Sequence, residues 1–251
     1  MYQQIISRFL AMLIFFVSGG LYAESVEEVL TGKSKVTSAS TQQAMTPKDA
    51  LLRLKEGNQR FLSNTMQKRD YLGQAKNASY GQFPWAVVLN CMDSRSVPEL
   101  FLDQGLADLF TLRVAGNILN EDILGSMEFA TKATGSRLIV VLGHTSCGAA
   151  AGACQDVNLG HLDHILAKIK AVVAPTKKEM STENCTKPEL IDAIAKNNAL
   201  LVARQIQEQS PIISELIAKG EVGIVAGLHD IKTGRVTFFE EGRLIPERKN
   251  P

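Results

Sequence analysis

The chain has 251 residues, 45% of them hydrophobic and 21% charged, with 4 Cys, 4 His and a formal net charge of +1. That length supports one large domain with a full core, and the composition excludes a disordered chain, a collagen-like repeat and a disulfide-stapled miniprotein. No apolar run reaches the roughly 20 residues of a spanning helix, and so even a charge balance offers no electrostatic footprint for nucleic acid.

In chain order, residues 1–23 come first, with Arg8 as their single charge. An apolar run from Phe9 to Val17 precedes Ser18-Gly19-Gly20 and a small residue, Ala23. This is the order of a cleavable secretory signal, although Leu21 and Ala23 make an imperfect small-x-small site. The expectation is a periplasmic or secreted protein with no membrane span in its mature form. Loss of Arg8 would leave that form formally neutral. Residues 24–45 are polar and lack a sustained apolar period, so they read as a flexible arm. The folded domain is expected over 46–251.

Thr46-Pro47-Lys48-Asp49 has the pattern of a helix start, with Thr46 as N-cap and Pro47 at the first helical position. Ala50, Leu51, Leu54 and Phe61 continue it as an amphipathic helix to about Leu62. Strand-like runs follow at Trp85–Leu89, Leu109–Val114, Arg137–Leu142, Val222–Leu228 and Arg235–Phe239. The third is nearly all apolar, as in a strand covered on both faces. Helical spacing appears over Glu121–Lys132, Leu159–Val173 and Pro188–Gln209. Strands alternating with helices predict an α/β fold around a mainly parallel sheet. The last two strands are close enough for an antiparallel edge.

Two clusters carry chemistry. Cys91-Met92-Asp93-Ser94-Arg95 follows the first strand, and Gly143-His144-Thr145-Ser146-Cys147-Gly148 follows the third. Both would lie at carboxyl ends of parallel strands, where open α/β sheets build their sites. Two thiolates and an imidazole suit Zn²⁺, and three protein ligands leave a fourth position for water. Cys147 would sit at a helix N-terminus, which favours its thiolate. Asp93 could orient that water, or take the fourth position and close the site. Arg95 is spaced to grip the Asp93 carboxylate with two parallel bonds. For the cysteines the rival reading is a pair of disulfides, since an exported chain meets oxidising conditions.

The two motifs, joined by Asp103-Gln104-Gly105 and by Arg113-Val114-Ala115-Gly116-Asn117, resemble the β-class carbonic anhydrases. The likeness runs from about Met45 to Glu241, through the Asp230-Ile231-Lys232-Thr233-Gly234 turn. It implies reversible hydration of CO₂ to bicarbonate by zinc-bound hydroxide, with one Zn²⁺ per subunit on Cys91, His144 and Cys147. It implies an Asp93–Arg95 catalytic dyad, substrate contacts from Gln82 and Phe110, and N-terminal helices packed on a partner subunit in a homodimer or homotetramer. Some bacterial members have an inhibitory bicarbonate pocket built on a Trp three residues before the first Cys. Here Val88 and Ser96 depart from that pattern, and His229 replaces a common aromatic.

Two functional alternatives accompany this reading. One is a hydrolase of the same fold acting on CS₂ or COS; the other is a non-catalytic zinc or bicarbonate-binding protein with Asp93 on the metal. Cys154 and Cys185 remain outside the motifs. Unpaired, largely buried thiols are the expectation for them, with a Cys154–Cys185 disulfide as the alternative. His161 and His164 are expected on a solvated helical face.

Overall fold

Thr46 caps the first long helix in the computed structural model of the protein, which describes residues 32–245. Its side chain accepts from the Asp49 amide at 3.1 Å, and the Asp49 carboxylate accepts from the Thr46 amide at 3.0 Å. This reciprocal capping satisfies two of the donors that a helix start leaves unpaired. The helix, α2, spans Pro47–Leu62. A short α1 (Ala39–Ala44) precedes it and α3 (Tyr71–Ala78) follows.

The sheet then begins. β1 is Ala86–Asn90, α4 Pro98–Phe101, β2 Leu109–Arg113, α5 Glu121–Glu128 and β3 Leu138–His144. After it come α6 (Gly148–Cys154), α7 (Leu162–Glu179), α8 (Pro188–Gln209) and α9 (Pro211–Ala218). β4 (Gly223–His229) and β5 (Val236–Phe238) complete the order. The strands lie side by side as β2-β1-β3-β4-β5. The first four are parallel and β5 is antiparallel to β4. This is the mixed α/β sheet that the sequence predicts.

Both faces of the sheet are covered, which is why β1 and β3 are apolar along their length. Val87, Leu89, Ile139 and Val141 pack on one face with Met127 of α5 and with Val202 and Ile206 of α8. Ala86, Val88, Leu138 and Val140 pack on the other with Trp85 and with Leu51 and Leu54 of α2. The chain leaves β1 toward β2 on one side and leaves β3 toward β4 on the other. The loops after β1 and β3 therefore diverge, opening a crevice at the carboxyl ends of those neighbouring strands.

Four expectations need correction or bounding. The signal reading of residues 1–23 lies outside the described residues. Of the arm expected over 24–45, residues 32–45 are packed against the domain instead. Gln42 is buried and donates to the carbonyls of Pro84 and Thr134 at 2.8 Å each. Thr37 donates to Asp108 at 2.5 Å. These are polar attachments, which apolar periodicity does not register. The helix expected to reach Lys132 ends as an α-helix at Glu128 and widens into a π turn over Phe129–Ala133. There the Thr131 hydroxyl donates back to the Met127 carbonyl at 2.8 Å.

The fourth concerns the spare cysteines. Cys154 and Cys185 form a disulfide, with their Cα atoms 5.6 Å apart, in place of the unpaired thiols expected from sequence. The end of α6 and the loop before α8 meet in space, although 31 residues separate them. Among the described residues no helix is long and apolar enough to cross a membrane.

Candidate metal centre

β1 ends at Asn90, so Cys91 is the first residue beyond the strand. His144 is the last residue of β3 and Cys147 is the N-cap of α6. Neighbouring strand ends thus deliver all three side chains into the crevice. Each is nearly inaccessible, and their ligand atoms all lie within 4.8 Å of one another. No other such group of three occurs among the described residues.

The imidazole shows what the cluster is for. His144 Nδ1 lies 2.9 Å from the Thr145 carbonyl, which can only accept, so the ring proton sits on Nδ1. Nε2 is then a bare lone pair. It is fully buried and has no hydrogen-bond partner. An orphaned buried acceptor facing two thiols is costly unless a cation completes it. The donor set S, S, N fits Zn²⁺ with one position left over, and the hydrogen bond on the far ring nitrogen is the usual support for a metal-bound imidazole.

One of the two thiols is prepared for deprotonation. The neighbouring Cys147 thiol, which can donate to it, pulls the Cys91 thiol down from its ordinary value, and burial opposes this. Cys147 is pushed up by the same partner. The Gly116 amide favours the same direction at Cys91, donating to its Sγ at 3.3 Å. Gly116 has φ +65°, and a Cβ there would stand 2.5 Å from the Ile169 methyl. Glycine is required for this approach. Asn198 of α8 holds the turn by donating to the Gly116 carbonyl at 2.8 Å.

Asp93 lies at the rim. Arg95 Nε donates to its Oδ1 at 2.9 Å and Arg95 Nη2 to its Oδ2 at 2.8 Å, the bidentate pair that the spacing predicts. The Arg95 guanidinium holds the Asp93 carboxyl well below the usual carboxylate range. Asp93 Oδ2 is 3.9 Å from His144 Nε2. The carboxylate is thus ionised and beside the cluster, with both oxygens engaged by Arg95. Arg113, at the end of β2, holds the loop backbone, donating to the carbonyls of Cys91 at 3.2 Å and Asp93 at 2.6 Å.

Three further residues support the site, and the motifs do not announce them. Ser96 and His229 are both buried, and Ser96 Oγ and His229 Nδ1 are 3.0 Å apart. Asn90 donates to the Ser96 carbonyl and to its Oγ at 2.9 and 3.1 Å. His229 stacks on Phe101 with ring centroids 3.9 Å apart. Burial pushes the His229 imidazole down to about 4, so it is neutral at physiological pH. Two of the three positions that depart from the family pattern, Ser96 and His229, are therefore tied to each other. The third residue is Asp192 of α8, whose Oδ1 accepts from the Ser146 amide at 2.7 Å.

Gln82 and Phe110 are not brought to the cluster within one subunit. Gln82 is exposed and precedes β1, at the opposite end of that strand from Cys91. Phe110 sits on edge strand β2 level with Val87, with its ring 6.3 Å from that of Phe129. His161 and His164 are exposed at the start of α7.

Comparison with known proteins bears on the same region. A family model described as carbonic anhydrase matches residues 86–236. The chain is 35% identical over 189 residues to carbonic anhydrase 2 of Mycobacterium tuberculosis, covering 74% of this chain and 89% of that protein. It is 32% identical to the carbonic anhydrase of Mycolicibacterium smegmatis, covering 73% and 88%. Among solved structures, one of the tetrameric β-carbonic anhydrases of Sordaria macrospora superposes with a TM-score of 0.62 at 27% identity, covering 66% of this chain and 85% of that one. With the family match spanning more than half the chain and enclosing both motifs, the protein belongs to the carbonic anhydrase family, in its β class.

Proposed function

We infer that the chain is a zinc-dependent carbonic anhydrase that hydrates CO₂ reversibly to bicarbonate and a proton. The observation that carries this reading is the buried, partnerless Nε2 of His144 beside two thiols, with an ionised carboxylate 3.9 Å away. Cys91, His144 and Cys147 would hold the metal. Zinc, when bound there, supplies the Lewis acidity that makes a water nucleophilic near neutral pH.

The protein's own groups do the rest. Asp93 Oδ2 accepts the hydrogen bond of the reacting water and fixes its direction toward CO₂. Arg95 keeps Asp93 ionised, so this acceptor is present at any working pH. The same pairing argues for an open site. A closed, non-catalytic arrangement requires Asp93 to leave both nitrogens of Arg95 for the metal, at the cost of a bidentate pair.

Gln82 and Phe110 would contact substrate only across a subunit interface, which fits a homodimer or homotetramer. Support for a partner copy comes from the open edge of β2 and a surface hollow of about 510 Å³ containing Phe110, Leu112 and Phe129. Leu72 and Tyr80 nearer the N-terminus are 83% and 88% exposed, large apolar groups suited to burial by a second subunit. A periplasmic or secreted location is supported by the signal-like residues 1–23. The Cys154–Cys185 disulfide adds to it, since such bridges persist in oxidising compartments.

One preparation tests the function. Zinc content and CO₂ hydration are measured on wild type and on His144→Ala, with CS₂ and COS assayed alongside. The expected result is one zinc per chain with CO₂ turnover, both lost in His144→Ala. A zinc-loaded protein inert to CO₂ across pH 7 to 9, or one active only on CS₂ or COS, overturns the reading.

A further inference from the structure

We propose that Asp192 is a positioning residue for the metal centre: by accepting the Ser146 amide it locks the turn between His144 and Cys147 and so sets how tightly zinc is held. The inference rests on the reading of Cys91, His144 and Cys147 as the zinc ligands.

The turn needs a lock. Ser146 has φ +56°, a left-handed conformation that costs a residue with a Cβ about 1 kcal/mol or more. Released, Ser146 would relax toward ordinary dihedrals. It sits two residues after one ligand and one before the next, so relaxation would move His144 Nε2 and Cys147 Sγ relative to each other. Metal sites tolerate only about 0.2 Å in ligand distance.

The sheet supplies part of the restraint. The Thr145 amide donates to the His229 carbonyl at 2.9 Å, and the Ile231 amide donates to Thr145 Oγ1 at 3.1 Å. Both restraints act on Thr145. The restraint on the Ser146 amide comes from α8, through Asp192 at 2.7 Å, across 46 residues of sequence.

α8 is well placed to serve as a clamp. A Cβ on Gly143 would stand 2.8 Å from the Ala195 carbonyl oxygen, so strand and helix are in close contact just before the first ligand. The Cys154–Cys185 bridge fastens the far end of α6 to the segment leading into α8. The ligand segment is thus held beside α8 at Gly143, at Ser146 and at Cys154. Asp192 is an unfavourable residue for this place on its own account. Burial, then the charges of Asp230 and Glu189, push its carboxyl up from the usual value, and the Ser146 amide opposes that. The hydrogen bond from the Ser146 amide, at 2.7 Å, is the contact that offsets those forces.

The test compares wild type, Asp192→Ala and Asp192→Asn. Zinc affinity is read by competition with a chromogenic chelator, ligand geometry by the absorption bands of the cobalt-substituted protein, and fold by thermal unfolding of the metal-stripped form. Asp192→Ala is expected to weaken zinc binding by about 10- to 100-fold, the usual loss for a group that orients metal ligands, and to shift the cobalt bands. Asp192→Asn keeps an oxygen acceptor and should restore most of both.

Wild-type affinity and an unchanged cobalt spectrum in Asp192→Ala overturn the proposal. So does a loss of metal-free stability shared by both variants with the spectrum unmoved. Should Asp192→Ala not fold, a Ser146→Gly/Asp192→Ala double variant decides, because glycine adopts φ +56° without strain. Zinc affinity should return in it, and a double variant that fails to bind zinc overturns the clamp. A wild-type chain that takes up no zinc overturns the metal-centre reading itself. Zinc-binding wild type with an indifferent Asp192→Ala overturns only the clamp.

Discussion

Two arginine–aspartate assemblies lie ten residues apart in sequence and have opposite characters. Asp93 pairs with Arg95, two residues away, at the rim of the crevice, where the Arg95 side chain is 56% exposed. Asp103 has no exposed side-chain surface and takes Arg60 Nε at 2.5 Å together with Arg69. Those arginines come from α2 and from the segment before α3, and the Gln67 amide adds a longer contact at 3.3 Å. The same ionic chemistry therefore does two jobs. The rim pair keeps an acceptor charged and aimed, while solvent screening leaves it little weight in stability. The buried assembly fastens distant segments ahead of β2, and an unpaired charge there would be expensive.

The sharpest way to break this contrast is Asp103→Ala. It strands Arg69, which is 7% exposed, and should cost about 3–5 kcal/mol in urea unfolding. Turnover of the folded fraction should be preserved. A variant as stable as wild type would erase the distinction between the two assemblies. Asp93→Asn should do the reverse, lowering kcat/KM about 100-fold or more while zinc content and Tm stay near wild type. Full activity in Asp93→Asn would remove the dyad from the mechanism.

A pH series sharpens the comparison further. Burial alone would raise the Asp103 carboxyl, but its bonds to Arg69 and Arg60 outweigh burial and hold it below the ordinary value. Its contribution to stability is therefore complete above the unfolded carboxylate pKa of about 4 and is lost as pH falls through the lower folded value. Wild type should lose Tm steeply on that acid limb, and Asp103→Asn should show a shallower decline. Equal slopes would mean that other carboxylates govern acid unfolding. The smallest effect expected is from Ser96→Ala, which removes the hydroxyl bonded to His229 and Asn90. About 1 kcal/mol of stability should go, with a modest fall in kcat as the Asp93–Arg95 loop loosens. No change in either would leave Arg113 as the anchor of that loop.

Much of the site is legible because its residues are close in sequence. Cys91, Asp93 and Arg95 share one short loop, and His144 and Cys147 share another, so spacing alone places them at strand ends. The Thr46–Pro47–Asp49 start is legible for the same reason, since a cap is a contact within four residues. Ser96 and His229 were visible only as departures from a pattern, because their contact spans 133 residues. Asp192 carried no signal, since an aspartate on a helix face reads as a solvated charge. The helices α3 and α9 are each eight residues long. Helices that short offer too few turns for apolar periodicity to declare itself.

By itself, the sequence determined the α/β class, the metal donors and the spacing that lets Arg95 grip Asp93. Each depends on local periodicity or on residues a few positions apart, where chain geometry leaves few choices. The tertiary structure decided the rest. It paired Cys154 with Cys185 where unpaired thiols were expected. It set Gln82 and Phe110 away from their own metal cluster, and it brought Asp192 to the turn between two ligands. These depend on distances between segments far apart along the chain. Packing of helices on the sheet fixes such distances, and no residue's neighbours in sequence record them.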